Sequence, residues 1–201
     1  GSSAWTLNGN FTLPATLLTW SNTGTMTFAA TTAKTITVNG QTISNGVTFD
    51  GIGGSWALAG NLANGSTRTT TLTNGVVDIS TFTLTTGVFA GTGATARGLT
   101  FGTGGKIVIS GSNFTVWNFA TTTNLTITGT PRVEFTYSGG TGTRTISHGN
   151  TGGGEANSIN AYIMAGTDSV AINTAIRTLD FTGFSGTLTS SNRTIYGNLT
   201  L

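Results

Sequence analysis

Apart from hydroxyl groups, six carboxylates, eight basic side chains and a single histidine are what the 201 residues offer for acid–base or nucleophilic chemistry. Two carboxylates on neighbouring strands can cleave a polysaccharide; retention needs them about 5–5.5 Å apart and inversion about 6.5–9.5 Å. Glu134 and Glu155 would meet that demand if stacked strands about 4.7–4.9 Å apart were joined by a chain turn of roughly 20 residues. The surrounding pattern speaks against it. Glu134 in Val133-Glu134-Phe135-Thr136, Asp180 in Leu179-Asp180-Phe181-Thr182 and Asp78 in Val77-Asp78-Ile79-Ser80 occupy one recurring strand context. Such recurrence reads as an outward, solvated position, and the chain is expected not to be an enzyme.

His148 would have to serve as the base of any nucleophilic triad, beside a serine and an orienting acid. No Gly-x-Ser-x-Gly elbow accompanies it, and its setting in Ser147-His148-Gly149-Asn150 predicts a turn cap. Gly102-Thr103-Gly104-Gly105-Lys106 imitates a phosphate loop, but Ile107 stands where Ser or Thr must bind the metal. Neither a metal nor a cofactor is expected. Thr-x-Thr pairs at Thr25/Thr27, Thr35/Thr37, Thr71/Thr73, Thr81/Thr83, Thr126/Thr128 and Thr187/Thr189 each share a face. An ice-binding plane would need them stacked at a constant period, and their intervals are uneven. Trp5 and Trp56 hold the same place in a repeated motif at inward parity, which predicts core for both; Trp20 and Trp117 are open between core and sugar platform.

The elements that position these residues follow from composition. Charged residues make up only 7% of the chain, against about 25% in an ordinary domain. Roughly a quarter is Thr, and there are 31 Gly and 2 Pro. β-Branched side chains fit pleated strands, while glycine supplies the positive-φ positions of frequent tight turns. Lys34, Arg68, Arg97, Lys106, Arg132, Arg144, Arg177 and Arg193 are scattered singly, whereas nucleic-acid affinity needs a clustered basic stripe. No apolar run approaches the roughly 20 residues of a membrane helix, so neither nucleic acid nor membrane insertion is expected.

Strand-like alternation is plain in Lys34-Thr35-Ile36-Thr37-Val38, around Phe82 and Leu84, and around Leu125 and Ile127. One motif recurs. Trp5-Thr6-Leu7-Asn8-Gly9-Asn10-Phe11 matches Trp56-Ala57-Leu58-Ala59-Gly60-Asn61-Leu62 and Arg193-Thr194-Ile195-Tyr196-Gly197-Asn198-Leu199, with a looser copy ending in Gly149-Asn150. Recurrence of this strand and Gly-Asn corner predicts an all-β fold of short Thr-rich coils, a parallel β-helix or β-solenoid, over one domain, 1–201. An antiparallel sandwich or stacked sheets is the alternative. Trp5, Gly9, Asn10, Trp56, Gly60, Asn61, Gly149, Asn150, Gly197 and Asn198 are the predicted stacking motif. Because Trp5 to Leu13 resembles Arg193 to Leu201, the chain reads as one period of a longer array with unfinished sheet at both ends.

The runs from Thr31 to Gly54, Arg132 to Asn157 and Arg177 to Leu201 resemble the Thr/Gly/Asn-rich tandem-repeat proteins of environmental tailed bacteriophages and aquatic bacteria. Gly-Thr-Arg-Thr-Ile-Ser-His-Gly-Asn, Thr-Leu-Asp-Phe-Thr-Gly-Phe-Ser-Gly and Arg-Thr-Ile-Tyr-Gly-Asn-Leu-Thr-Leu carry the resemblance. It implies a non-catalytic fibre or adhesin part, extracellular or on a virion, that assembles with itself end to end or laterally. Cell-surface glycan is the alternative partner, and ice binding and a polysaccharide-degrading tailspike are the other alternative functions.

Overall fold

A computed structural model describes residues 1–16, 19–112, 115–148, 153–190 and 192–201. They wind into a parallel β-solenoid in which every strand pairing is parallel. The chain passes repeatedly through three faces. The first face stacks Trp5–Leu7, Met26–Phe28, the front of Val47–Leu58, the front of Thr69–Ser80, Val88–Gly91, Thr115–Phe119, Thr143–Ser147, Ser169–Asn173 and Thr187–Ser190. The second stacks Phe11–Thr12, Ala33–Thr37, the rear halves of the two long strands, Arg97–Phe101 and Leu125–Gly129. The third runs through Leu62–Ala63, Thr83–Thr86, Lys106–Ile109, Arg132–Phe135, Asn160–Ile163, Thr178–Asp180 and Leu199–Thr200.

Alternation places the core. Ile36, Val38, Leu84, Leu125 and Ile127 point inward and are buried, as their spacing predicts, and Phe82 packs partly buried against them. On the first face Leu7, Phe28, Phe49 and Leu72 lie in register one above another. Phe28 and Phe49 stack with centroids 5.3 Å apart, and Trp56 closes on Phe49 at 5.5 Å. Offset stacking of this kind adds about 0.5–1.5 kcal/mol per pair beyond area burial. A second aromatic group, Phe89, Trp117 and Phe119, follows further along the axis.

Close approach of backbones decides the corner between first and second faces. Four residues, Gly51 to Gly54, stand opposite the single Gly75 between the paired positions Asp50↔Asn74 and Ser55↔Val76. A Cβ on Gly75 would come within 2.6 Å of the Gly51 carbonyl, and its φ of +78° is in the left-handed region. No other residue type fits there.

Coil length varies, from 18 residues between Ile172 and Ser190 to 30 between Thr115 and Thr145. That variation revises the repeat. Trp5 is in register with Met26, and Met26 with Val47, so the counterpart of Trp5 two coils on is Val47. Trp56 belongs to the second face, opposite Lys34 and Val77. Trp56 is accordingly buried, whereas Trp5 is 44% exposed, contrary to the shared core position expected for them. Gly9-Asn10 turns the chain from first face to second, while Gly60-Asn61 and Gly197-Asn198 turn it from second to third. The described copies therefore do not stack on one another, and Gly149-Asn150 lies outside the described residues. They do share a task. Asn10 Oδ1 accepts the backbone N–H of Thr35 at 3.1 Å, and Asn61 Oδ1 accepts that of Thr83 at 2.9 Å. In each case a corner amide ties one coil to the next.

The two ends differ. Trp20 packs edge-on against Trp5 and Phe11, 5.6 and 6.1 Å between centroids, and its indole N–H is bonded to the buried Asn45. At the opposite end an apolar cavity lined by Ile172, Leu179, Leu188, Ile195 and Leu199 opens to solvent.

Candidate functional site

Outward positions of the third face gather the densest chemistry. Strand register sets Lys106, Arg132, Asn160 and Thr178 in one column and Val108, Glu134, Tyr162 and Asp180 in the next. Four of the fourteen Lys, Arg, Asp and Glu residues thus share one flank across four coils. Glu134 accepts Lys106 Nζ at 3.0 Å and Arg132 Nε at 2.6 Å, and the Arg132 guanidinium lies 3.8 Å over the Tyr162 ring. Burial opposes ionisation of Glu134, but the hydrogen bonds and charges of Arg132 and Lys106 outweigh it and hold the carboxyl below the usual range. Asp180 is also held low, chiefly by hydrogen bonds from Thr182.

This geometry bears on polysaccharide cleavage. Glu134 is opposite Tyr162, not Glu155, because 28 residues separate successive passes here. Glu155 sits exposed in a 3-10 turn, Glu155–Asn157, with its carbonyl accepting Arg177 Nε at 2.9 Å. The carboxylate that does share a column with Glu134 is Asp180, two strands away. Two strand spacings amount to roughly 9.5 Å, the upper bound for inversion. A general acid needs a raised pKa, and both of these are lowered. Nor is Glu134 the solvated outward residue its repeat context predicts: its neighbours cover it to 8% exposure, while Asp78 and Asp180 remain half-buried.

His148 is core rather than a turn cap. It is fully buried, its Nε2 accepts the Trp117 indole N–H at 2.7 Å, and its Nδ1 is 2.7 Å from Thr174 Oγ1. Burial pushes it down to about 4. An inward arginine was not foreseen either. Arg144 alternates with Ile146 on the inner side of Thr143–Ser147 and forms a bidentate pair with buried Asp168 at 2.7 and 2.8 Å. Tyr137 and Phe184 lie 5.6 and 5.7 Å from its guanidinium carbon. The visible signal was parity: in Thr143-Arg144-Thr145-Ile146-Ser147 the arginine occupies the apolar phase.

The first face presents the opposite surface. Thr6, Thr27, Thr48 and Thr71 form one outward column, continued by Ala90, Asn118, Ser147 and Asn173. Their uneven sequence intervals are absorbed by corners of different length. The Thr-x-Thr pairs do not coincide, however: Thr25/Thr27, Thr71/Thr73 and Thr187/Thr189 share this face in non-adjacent coils, and Thr35/Thr37 and Thr126/Thr128 lie on the second. Trp117 and Trp56 are buried and cannot serve as sugar platforms. Among the described residues no group of three His, Asp or Glu could hold a metal ion, and no helix is long and apolar enough to cross a membrane. Compared with family models, curated proteins and solved structures, the chain matches none of them.

Proposed function

We propose that this chain is a structural module of an extracellular or virion fibre, without catalytic activity, whose function is rigid length. The carrying observation is an unbroken parallel ladder on the first face, from Trp5–Leu7 to Thr187–Ser190, wrapped around a mainly apolar interior. Each strand in that ladder adds about 4.8 Å of axial length, so nine give roughly 40 Å in a shape that bends little. The solvent-facing apolar cavity beside Leu188 and Leu199 supports contact with another copy. Negative-stain electron microscopy of the purified chain tests this. Short rods joining end to end into filaments support a fibre part; compact monodisperse particles at high concentration overturn it.

A second reading, recognition of a cell-surface glycan, is favoured by the third-face group of Lys106, Arg132, Glu134 and Tyr162. It combines donors, an acceptor and a ring on a surface otherwise rich in Thr and Asn. Binding on a glycan array that disappears in Arg132→Ala supports recognition; no binding to any glycan removes it. Release of product from host polysaccharide, lost in Glu134→Gln, would instead demand a catalytic role.

A further inference from the structure

We propose that His148 is a proton-sensitive joint: protonation of its ring opens the contact between Thr115–Phe119 and the coils that follow, releasing residues from Thr143 onward while earlier coils stay folded. This is independent of the fibre reading.

The geometry leaves no room for a second ring proton. Indole Nε1–H is a donor only, so Nε2 of His148, 2.7 Å from it, must carry a lone pair. A proton there would set donor against donor between two side chains that are both fully buried. Phe119 meets the imidazole edge-on at 5.5 Å, and the other ring nitrogen is engaged with Thr174. His148 thus links three successive coils, through Trp117 and Phe119 on one side and Thr174 on the other.

Among the described residues around the ring, no carboxylate is placed to compensate. Thr115–Phe119 and Ser169–Asn173 carry no ionisable residue. Arg144, on the strand Thr143–Ser147 that leads into His148, is committed to Asp168. Arg97 is held by the carbonyls of Thr95 and Thr121, and Arg177 by those of Glu155 and Ile127. Glu155 is exposed.

In a solenoid each coil touches only its neighbours, so failure at one joint frees one side without melting the other. Folding favours the neutral ring, with a folded value of about 4 against 6.5 when released. The contribution is complete above pH 6.5 and is lost as pH falls towards 4, raising the opening constant on the order of 100-fold. Between pH 7 and 4.5 the rise is about 50-fold.

Hydrogen exchange at pH 7 and 4.5, corrected for intrinsic rates, reads this directly. Amides of Thr143–Ser147 and Ser169–Asn173 are expected to open about 50-fold more at the lower pH, with those of Val47–Leu58 unchanged. His148→Gln can still accept from Trp117 and donate to Thr174, and should abolish the response. His148 is the only histidine, so its ring signals in NMR give the titration of the wild-type protein even if the glutamine variant fails to fold. A ring titrating near 6.5 in the intact fold, an undiminished acid response in His148→Gln, or equal opening of Val47–Leu58 would each overturn the joint.

Discussion

The coils around Val47–Leu58 and those from Thr143 onward share one backbone ladder but fill its interior with different chemistry. In the first region Phe28 stacks on Phe49, Trp56 meets both rings at an angle, and Leu72 and Met26 belong to the same core, all fully buried. In the second, the inward positions include Arg144, with Asp168 beside it, and His148, also buried. Aromatic stacking depends on area and shape and tolerates acid. A buried ion pair or neutral imidazole depends on protonation state, and each becomes a liability when its partner is lost. The ladder therefore supplies uniform geometry, while resistance to pH and to substitution is set coil by coil.

The largest expected effects test whether both regions are equally essential. Phe49→Ala should cost about 3–5 kcal/mol through the lost stack and the cavity left behind, measured by urea unfolding. Asp168→Asn should cost a similar 3–5 kcal/mol, because a guanidinium is left buried without its counter-charge. Hydrogen exchange distinguishes them: the first change should loosen Met26–Phe28 and Val47–Leu58, the second Thr143–Ser147 and Ser169–Asn173. Uniform loosening in both variants would show that the coils melt as one unit.

Acid should separate the regions next. His148 accounts for about 3 kcal/mol between pH 6.5 and 4, from its lowered value of about 4. Stability of the wild type should fall across that interval, and His148→Gln should flatten the curve in thermal melts. Gly75→Ala, at the first corner, should cost more than about 1 kcal/mol, since both its φ and its approach to the Gly51 carbonyl exclude a side chain. The smallest change is expected on the third face. Arg132→Ala should cost less than about 1 kcal/mol, because Arg132 is over a third exposed and Lys106 still holds Glu134. A larger loss there would move the third-face group from surface decoration to a structural clasp.

Much of the fold was legible in alternation. Ile36 between Thr35 and Thr37, or Ile127 between Thr126 and Thr128, declares an inner and an outer side without reference to anything distant. The Gly-Asn motif was legible as a corner but not as a position. Its copies at Gly9-Asn10 and Gly60-Asn61 perform the same hydrogen bonding on different edges of the solenoid. Of the third-face group, only the strand contexts of Glu134 and Asp180 were visible; Arg132 is two residues from Glu134 on the same strand, but the approach of Lys106 depends on a coil of 26 residues and that of Tyr162 on one of 28.

By itself, then, the sequence determined that this chain would be sheet, with Thr outside and aliphatic or aromatic residues inside, because β-branched alternation is a property of adjacent residues. Only the tertiary structure decided that Trp56 is core and Trp5 is not, that His148 meets Trp117, and that Glu134 faces Tyr162 rather than Glu155. Those contacts span a whole coil, and the length of each coil is set by how its corners pack against the coils on either side.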